Sequence, residues 1–166
     1  MLMVTLSVHS SRIDLSHGFL IAYFTAASQH PPKRVKFDFF LVHCLNCSIF
    51  YSSFLSRPWI SSRAKVRLLE WKGRIDLLMY VARHVPKLDL SEITNYPMTR
   101  DWNQLFHAGI THPEDDSHVV KLLRAIANGE RVCKPFEGQN AGNASFAFQK
   151  DMWLKFGNMG ECQLPC

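Results

Sequence analysis

The chain lacks a phosphate-cradling signature. No G-x-G-x-x-G follows a strand pattern, no G-x-x-x-x-G-K-[ST] occurs, and the glycines of 138–142 and 157–160 have the wrong spacing. A G-x-S-x-G elbow is missing too, which removes the mark of an α/β-hydrolase nucleophile. No Asn-Gly turn joins alternating apolar runs, so hairpins find no support. The apolar run Gly18 to Ala27 is too short to span a bilayer. Met1 to Val8 is apolar but carries neither a basic n-region nor a small-residue cleavage site before His9, which speaks against a secretory leader. Five cysteines, odd in number, do not make a disulfide framework, so reduced thiols are expected. Together these absences lead to the expectation of a soluble, cytoplasmic protein without a membrane partner.

Charge is also scarce. Asp, Glu, Lys and Arg make up 20% of the 166 residues, against the usual quarter, while aromatics reach 12% and hydrophobic residues 47%. Such a chain is the size of one domain and keeps much of itself inside. The formal charge is +5, but the bases are interleaved with acids. Lys33, Arg34 and Lys36 alone cluster tightly, in a Pro-flanked loop that reads as solvated, so no nucleic-acid partner is expected.

What remains is helical periodicity. A first helix over His17 to Ser28 is apolar almost all round and must stop before Pro31 and Pro32. A second, about Asp38 to Ser56, is apolar on most faces, as a helix buried on several sides would be. Its polar exceptions separate into a Ser48, Ser52, Ser56 stripe and a pair, His43 and Asn46, on another face. A third, about Ser62 to His84, is charged and has Glu70 four residues before Arg74, the favourable order for an ion pair. Asp101 and Gln104 form a capping box for a short helix through Ala108. Thr111 and Glu114 form a second box, with Glu114, Asp115 and Asp116 in the first turn of a helix that Gly129 closes. A loop over Cys133 to Ala147 and a short element around Trp153 follow. The expected fold is all-α, an irregular helical bundle.

Five side chains are candidates for chemistry. His43 and Asn46 lie among apolar neighbours, and an unpaired buried polar group costs about 1–3 kcal/mol, so both must find partners. A substrate-facing imidazole beside a cavity and a satisfied core histidine both meet that condition. His112 and His118 bracket three carboxylates, a set with metal-ligand chemistry. Their spacing does not define one preformed site, and helix capping explains the acids without a metal, so no metal is assigned. Cys44 and Cys47 form C-x-x-C inside an apolar helix, where both read as core packing. Arg67 belongs to the segment RLLEWKGRIDLLMY, where Trp71 and Gly73 sit among charges.

That segment, with FDFFLVHCLNCSIF (Phe37 to Phe50) and HPEDDSHVVKLLRAIANGERV (His112 to Val132), resembles the questin oxidase-like family of fungal polyketide pathways. The resemblance runs over 17–159, with 1–16 an atypical extension and 160–166 a disordered tail. It implies the C-terminal part of a larger helical domain. The implied activity is NADPH-dependent Baeyer–Villiger oxygen insertion into an anthraquinone-like polyketide ketone, in an active or an inactive truncated form. A flavin or metal is not specified. By the same resemblance His43 acts as acid or base, Asn46 orients, His112 and His118 supply polar groups near the site, and Arg67 stabilises an oxyanion. The alternative is a non-catalytic helical interaction module. Exposed apolar faces, in either case, offer a route to self-association.

Overall fold

Asp38 shows how the chain starts its second helix and anchors its third. Its carboxylate accepts the backbone N–H groups of Phe40 and Leu41 at 2.9 and 3.2 Å, capping the helix, and takes Nε of Arg83 at 2.6 Å. Arg83 lies just past the end of the third helix, so the two helices run antiparallel. The computed structural model describes residues 18–112, 117–136, 148 and 151–161. Among them every regular element is helical: α1 (18–27), α2 (Phe39–Leu55), α3 (Ser62–Ala82), α4 (Ser91–Thr94), α5 (Trp102–Thr111), α6 (His118–Cys133) and α7 (Met152–Glu161), with a 3-10 turn at Lys134–Phe136. The fold is all-α. None of these helices is long and apolar enough to cross a membrane.

The core forms where α1, the first half of α2, α6 and α7 meet. α1 is buried on nearly every side, through Ile21, Ala22, Phe24, Ala26 and Ala27, as its apolar composition requires. Its one buried hydroxyl, Thr25, donates to the Ile21 carbonyl at 2.7 Å. α6 contributes Val119, Leu122, Leu123, Ala125 and Ile126, whose three- and four-residue spacing lies along one face. Against them α7 brings Trp153, Phe156 and Met159, all fully buried, and Phe148 sets its ring tilted against both Trp153 and Phe156. Burial of this kind is worth roughly 1.5–3 kcal/mol for each large side chain.

One buried amide ties the loop before α5 to α7. Oδ1 of Asn158 accepts from the Thr99 and Arg100 backbone N–H groups at 3.0 Å and from the Thr99 hydroxyl at 3.1 Å. Its Nδ2 donates to the Arg100 and Leu154 carbonyls at 3.0 and 2.8 Å. α5 itself opens on the expected capping box: Asp101 accepts from Gln104 N–H at 2.8 Å, and Gln104 accepts from Asp101 N–H at 2.9 Å.

Four expectations are corrected. Thr111 ends α5 instead of capping α6, which starts at His118 after a left-handed Ser117 and has no acid in its first turn; Glu114, Asp115 and Asp116 lie outside the described residues. Gly129 does not close α6, which continues to Cys133 because the glycine makes room for the Trp153 ring. Gly160 and Glu161 belong to α7 and not to a tail, and Glu161 pairs with Arg100 at 2.6 Å. α2 is not buried on several sides: Leu41, Val42, Cys44 and Leu45 are, while Phe39, Phe40, Phe50 and Phe54 are exposed. The extension 1–16, most of the 133–147 loop and 162–166 fall outside the described residues.

Candidate active site at the α2–α6 surface

Phe39 and His43 are four residues apart on α2 and therefore share a helix face. Their rings meet edge to face with centroids 4.4 Å apart. His118, the first residue of α6, completes the group: its ring lies 5.8 Å from that of His43, edge to face, and 5.9 Å from that of Phe39. Two of the five sequence candidates are thus neighbours although 75 positions separate them in the chain. The aromatic that joins them, Phe39, was not among the candidates. Its four-residue offset from His43 was a signal that the generally apolar character of α2 concealed.

The burial expected for His43 is not what the structure shows. His43 is exposed. At 100° per residue, the buried arc of α2 centres on Leu41 and Leu45, and His43 falls on the opposite side. Phe39, His43, Phe50 and Phe54 consequently form an outward stripe, an aromatic surface with one imidazole in it. Asn46, one turn on, is half-buried, and its Oδ1 is buried without a hydrogen-bond partner among the described residues. His112 stands half-buried at the C-cap of α5. Arg67 is exposed on α3 and makes no hydrogen bond or ion pair among the described residues, so it is not brought to the histidine pair.

The concavity lies elsewhere. Gly18, Leu45, Ser48, Ser52, Asn128, Cys133 and Trp153 are among the residues lining an open hollow of about 30 Å³. Its size suits a water or two. Ligand sites for small molecules and cofactors run to roughly 300–1,000 Å³, so this hollow does not fit NADPH or a flavin, and no step is routed through either. The serine stripe reaches it, but Ser48 and Ser52 donate to the carbonyls of Leu45 and Ile49 at 2.6 and 3.0 Å. No group of three or more metal-ligating side chains occurs among the described residues.

A buried ion-pair network setting helix register was the expected role of the charges of this helix, and one buried pair is present, with an acid partner, Asp76, that sequence reasoning did not single out. Lys72 and Asp76, 4% and 2% exposed, pair with each other under α2, while the expected Glu70–Arg74 pair forms at 2.6 Å in solvent. The i, i+4 spacing of Lys72 and Asp76 was the available signal. Cys44 of α2 reaches the same carboxylate. Burial, and then the negative charge of Asp76, push its thiol up to about 12, so it is neither a redox thiol nor a nucleophile near neutral pH. Cys44 is core, as expected, but Cys47 is exposed.

Residues 16–126 match the family described as questin oxidase-like. Among curated relatives, the chain is 40% identical over 142 residues to the Baeyer-Villiger oxidase ptaJ of Pestalotiopsis fici, covering 83% of this chain and 32% of the relative. It is 41% identical over 146 residues to the Baeyer-Villiger oxidase mdpL of Emericella nidulans, covering 84% of this chain and 32% of the relative. The questin oxidase of Aspergillus terreus is 39% identical over 142 residues, 83% of this chain and 31% of the relative. The chain spans about a third of the length of these relatives. With a match over more than half its residues, the chain belongs to the questin oxidase-like family.

Proposed function

We propose that the α2–α6 surface is one wall of a Baeyer–Villiger-type site acting on an anthraquinone-like polyketide ketone, the rest of the wall lying outside the described residues. The observation that carries this is the His43–His118 pair, 5.8 Å apart and flanked by Phe39, in a chain whose relatives are named Baeyer-Villiger oxidases. In the reaction an oxidant bearing an O–O bond adds one oxygen to the carbonyl carbon. The adduct then re-forms its C=O bond as the ring carbon migrates to that oxygen, the O–O bond breaks, and the leaving oxygen takes up a proton. One imidazole accepts the proton of the attacking oxygen and the other delivers a proton to the leaving one, a form of assistance typically worth about 10²–10⁴-fold. Phe39 stacks on a flat aromatic substrate. Asn46 keeps its Oδ1 buried beneath this surface and is given no contact with the substrate. Arg67 and His112 serve only where bound substrate bridges to them. The family resemblance assigns the reducing equivalents to NADPH, which the described hollow does not accommodate.

The half-open geometry sets the test. NADPH consumption and product formation with a panel of anthraquinones are measured for this chain alone, then after the remaining portion of a curated relative has been supplied. Turnover only in the second arm supports the reading; turnover in neither overturns it. One observation favours the non-catalytic interaction module instead, namely the breadth of apolar exposure on α2 and α3.

A further inference from the structure

α3 is a 21-residue helix that buries very little of itself. Leu69, Lys72 and Asp76 are its buried residues. On another side Leu68, Trp71, Ile75 and Leu78 are all exposed, Trp71 by 52% and Leu78 by 60%. Their spacing is three, four and three residues, which places them in a single stripe, about 100° round the helix from the buried one. Ala64 and Ala82 extend the same three-four spacing to both ends of the helix. This is the periodicity of a seam that receives another helix, and a solvated face has no physical reason to keep it.

The charges beside the stripe discriminate between occupants. Arg63, Lys65, Arg67 and Arg74 stand on α3 outside the buried ion pair, with Glu70 the only acid among them, and Arg74 lies over the Trp71 ring at 5.5 Å. A second copy would bring this excess of cations against itself. A helix with carboxylates flanking an apolar ridge would neutralise it. About two-thirds of each relative's length has no counterpart in this chain.

We propose that the Leu68–Trp71–Ile75–Leu78 stripe docks an acid-flanked amphipathic helix belonging to the portion of the family fold outside the matched segment. The seam is a matter of assembly and stands independently of the oxygen-insertion reading, because binding and turnover are read separately. The tagged chain is co-expressed with the portion of the Pestalotiopsis fici relative that lies outside its matched segment. Stoichiometry is measured by size-exclusion chromatography with light scattering, and affinity by titration. The expected result is a one-to-one complex that weakens at least tenfold on Ile75→Glu, weakens with added salt, and survives Ile75→Leu. Ile75 is exposed, so the glutamate leaves thermal unfolding of the isolated chain unchanged.

Three results overturn the proposal: self-association through the stripe, a complex indifferent to Ile75→Glu, or no complex where the relative's own segment assembles under the same conditions. A second measurement decides the case in which even the relative's two pieces stay apart. This chain is spliced into the relative in place of the matched segment, and maleimide labelling at Leu78→Cys is followed peptide by peptide. Labelling slowed at least tenfold relative to the isolated chain upholds the seam, and equal labelling overturns it.

Discussion

Lys72 and Asp76, one turn apart on α3, pair with each other beneath α2, and the buried thiol of Cys44 on α2 stands in the field of the same carboxylate. The arrangement joins two antiparallel helices through a charge that neither leaves in water. It also explains why α3 presents the faces it does: Asp76 and Lys72 must turn inward together, which fixes the rotation of α3 and leaves Trp71 and Leu78 outward. Lys72 precedes Asp76, the less favourable order for an i, i+4 pair, so helix electrostatics alone do not explain the pairing. Fixed rotational register does.

Breaking that pair from one side strands a buried ammonium. Asp76→Ala is expected to cost about 3–5 kcal/mol, whereas Lys72→Met with Asp76→Leu together costs far less or stabilises. Urea unfolding of the wild type and the two variants checks the ordering; a single Asp76 substitution as mild as the double one contradicts it.

The two cysteines of C-x-x-C separate in reactivity. At pH 8, peptide-resolved alkylation modifies exposed Cys47 well before Cys44, whose thiol remains protonated up to about 12. The sign for stability follows from the same shift. Below the ordinary value of 9.0 both folded and unfolded chains carry the proton, and the contribution is complete. As pH rises from 9 towards 12 the unfolded chain loses it first, so stability falls. The wild type should lose more stability over that range than Cys44→Ala, measured by denaturant titration at pH 8, 9 and 10.

His84 occupies the left-handed position that ends α3. With φ of 66° its N–H reaches the Val81 carbonyl at 2.9 Å, and Val85 N–H reaches that of Tyr80 at 3.2 Å, the paired bonds of a Schellman ending. Glycine adopts this conformation without the Cβ clash that costs other residues about 1–2 kcal/mol. His84→Gly should therefore raise stability by about 1 kcal/mol and Tm by roughly 2–4 °C in calorimetry.

Gly129 tolerates no side chain. A Cβ there would stand 2.5 Å from Cζ3 of the fully buried Trp153. Helix propensity favours alanine by about 1 kcal/mol, but overpacking a rigid indole costs about 1–3 kcal/mol and disturbs the ring. Gly129→Ala should lower Tm and shift the near-UV circular dichroism of tryptophan; a stabilised variant refutes the packing.

In the completed assembly, His43→Ala is expected to lower kcat at least 10²-fold with little change in KM, and His118→Ala to act similarly. Steady-state kinetics with the best substrate of the panel decide it. Unaltered kcat in both variants removes the imidazole pair from the chemistry.

Most of the helical framework was legible in advance, because prolines, caps and apolar periodicity act locally. Asp38 and Asp101 show this: the first accepts two backbone N–H groups and the second one, all within three residues, so short-range chemistry sets where α2 and α5 start. Failures began where the deciding partner was distant. Asn128-Gly129 looks like a helix end until Trp153 fills the space over the glycine. At Thr111 the misreading was local: it looks like a cap, yet α5 carries through it, with its hydroxyl donating to the His107 carbonyl one turn back at 2.8 Å.

Sequence alone determined the all-α class, the helix ends set by Pro31 and by the Asp101 capping box, and the candidacy of His43 and His118, because residue chemistry and helical spacing suffice for those. Which histidines meet, which carboxylate Lys72 and Cys44 share, and which side of α2 faces water were decided by tertiary structure. A helix that is apolar on most of its faces contains little instruction about which face to bury; the packing of α1, α6 and α7 against Leu41 and Leu45 supplies it, and His43 points the other way as a result.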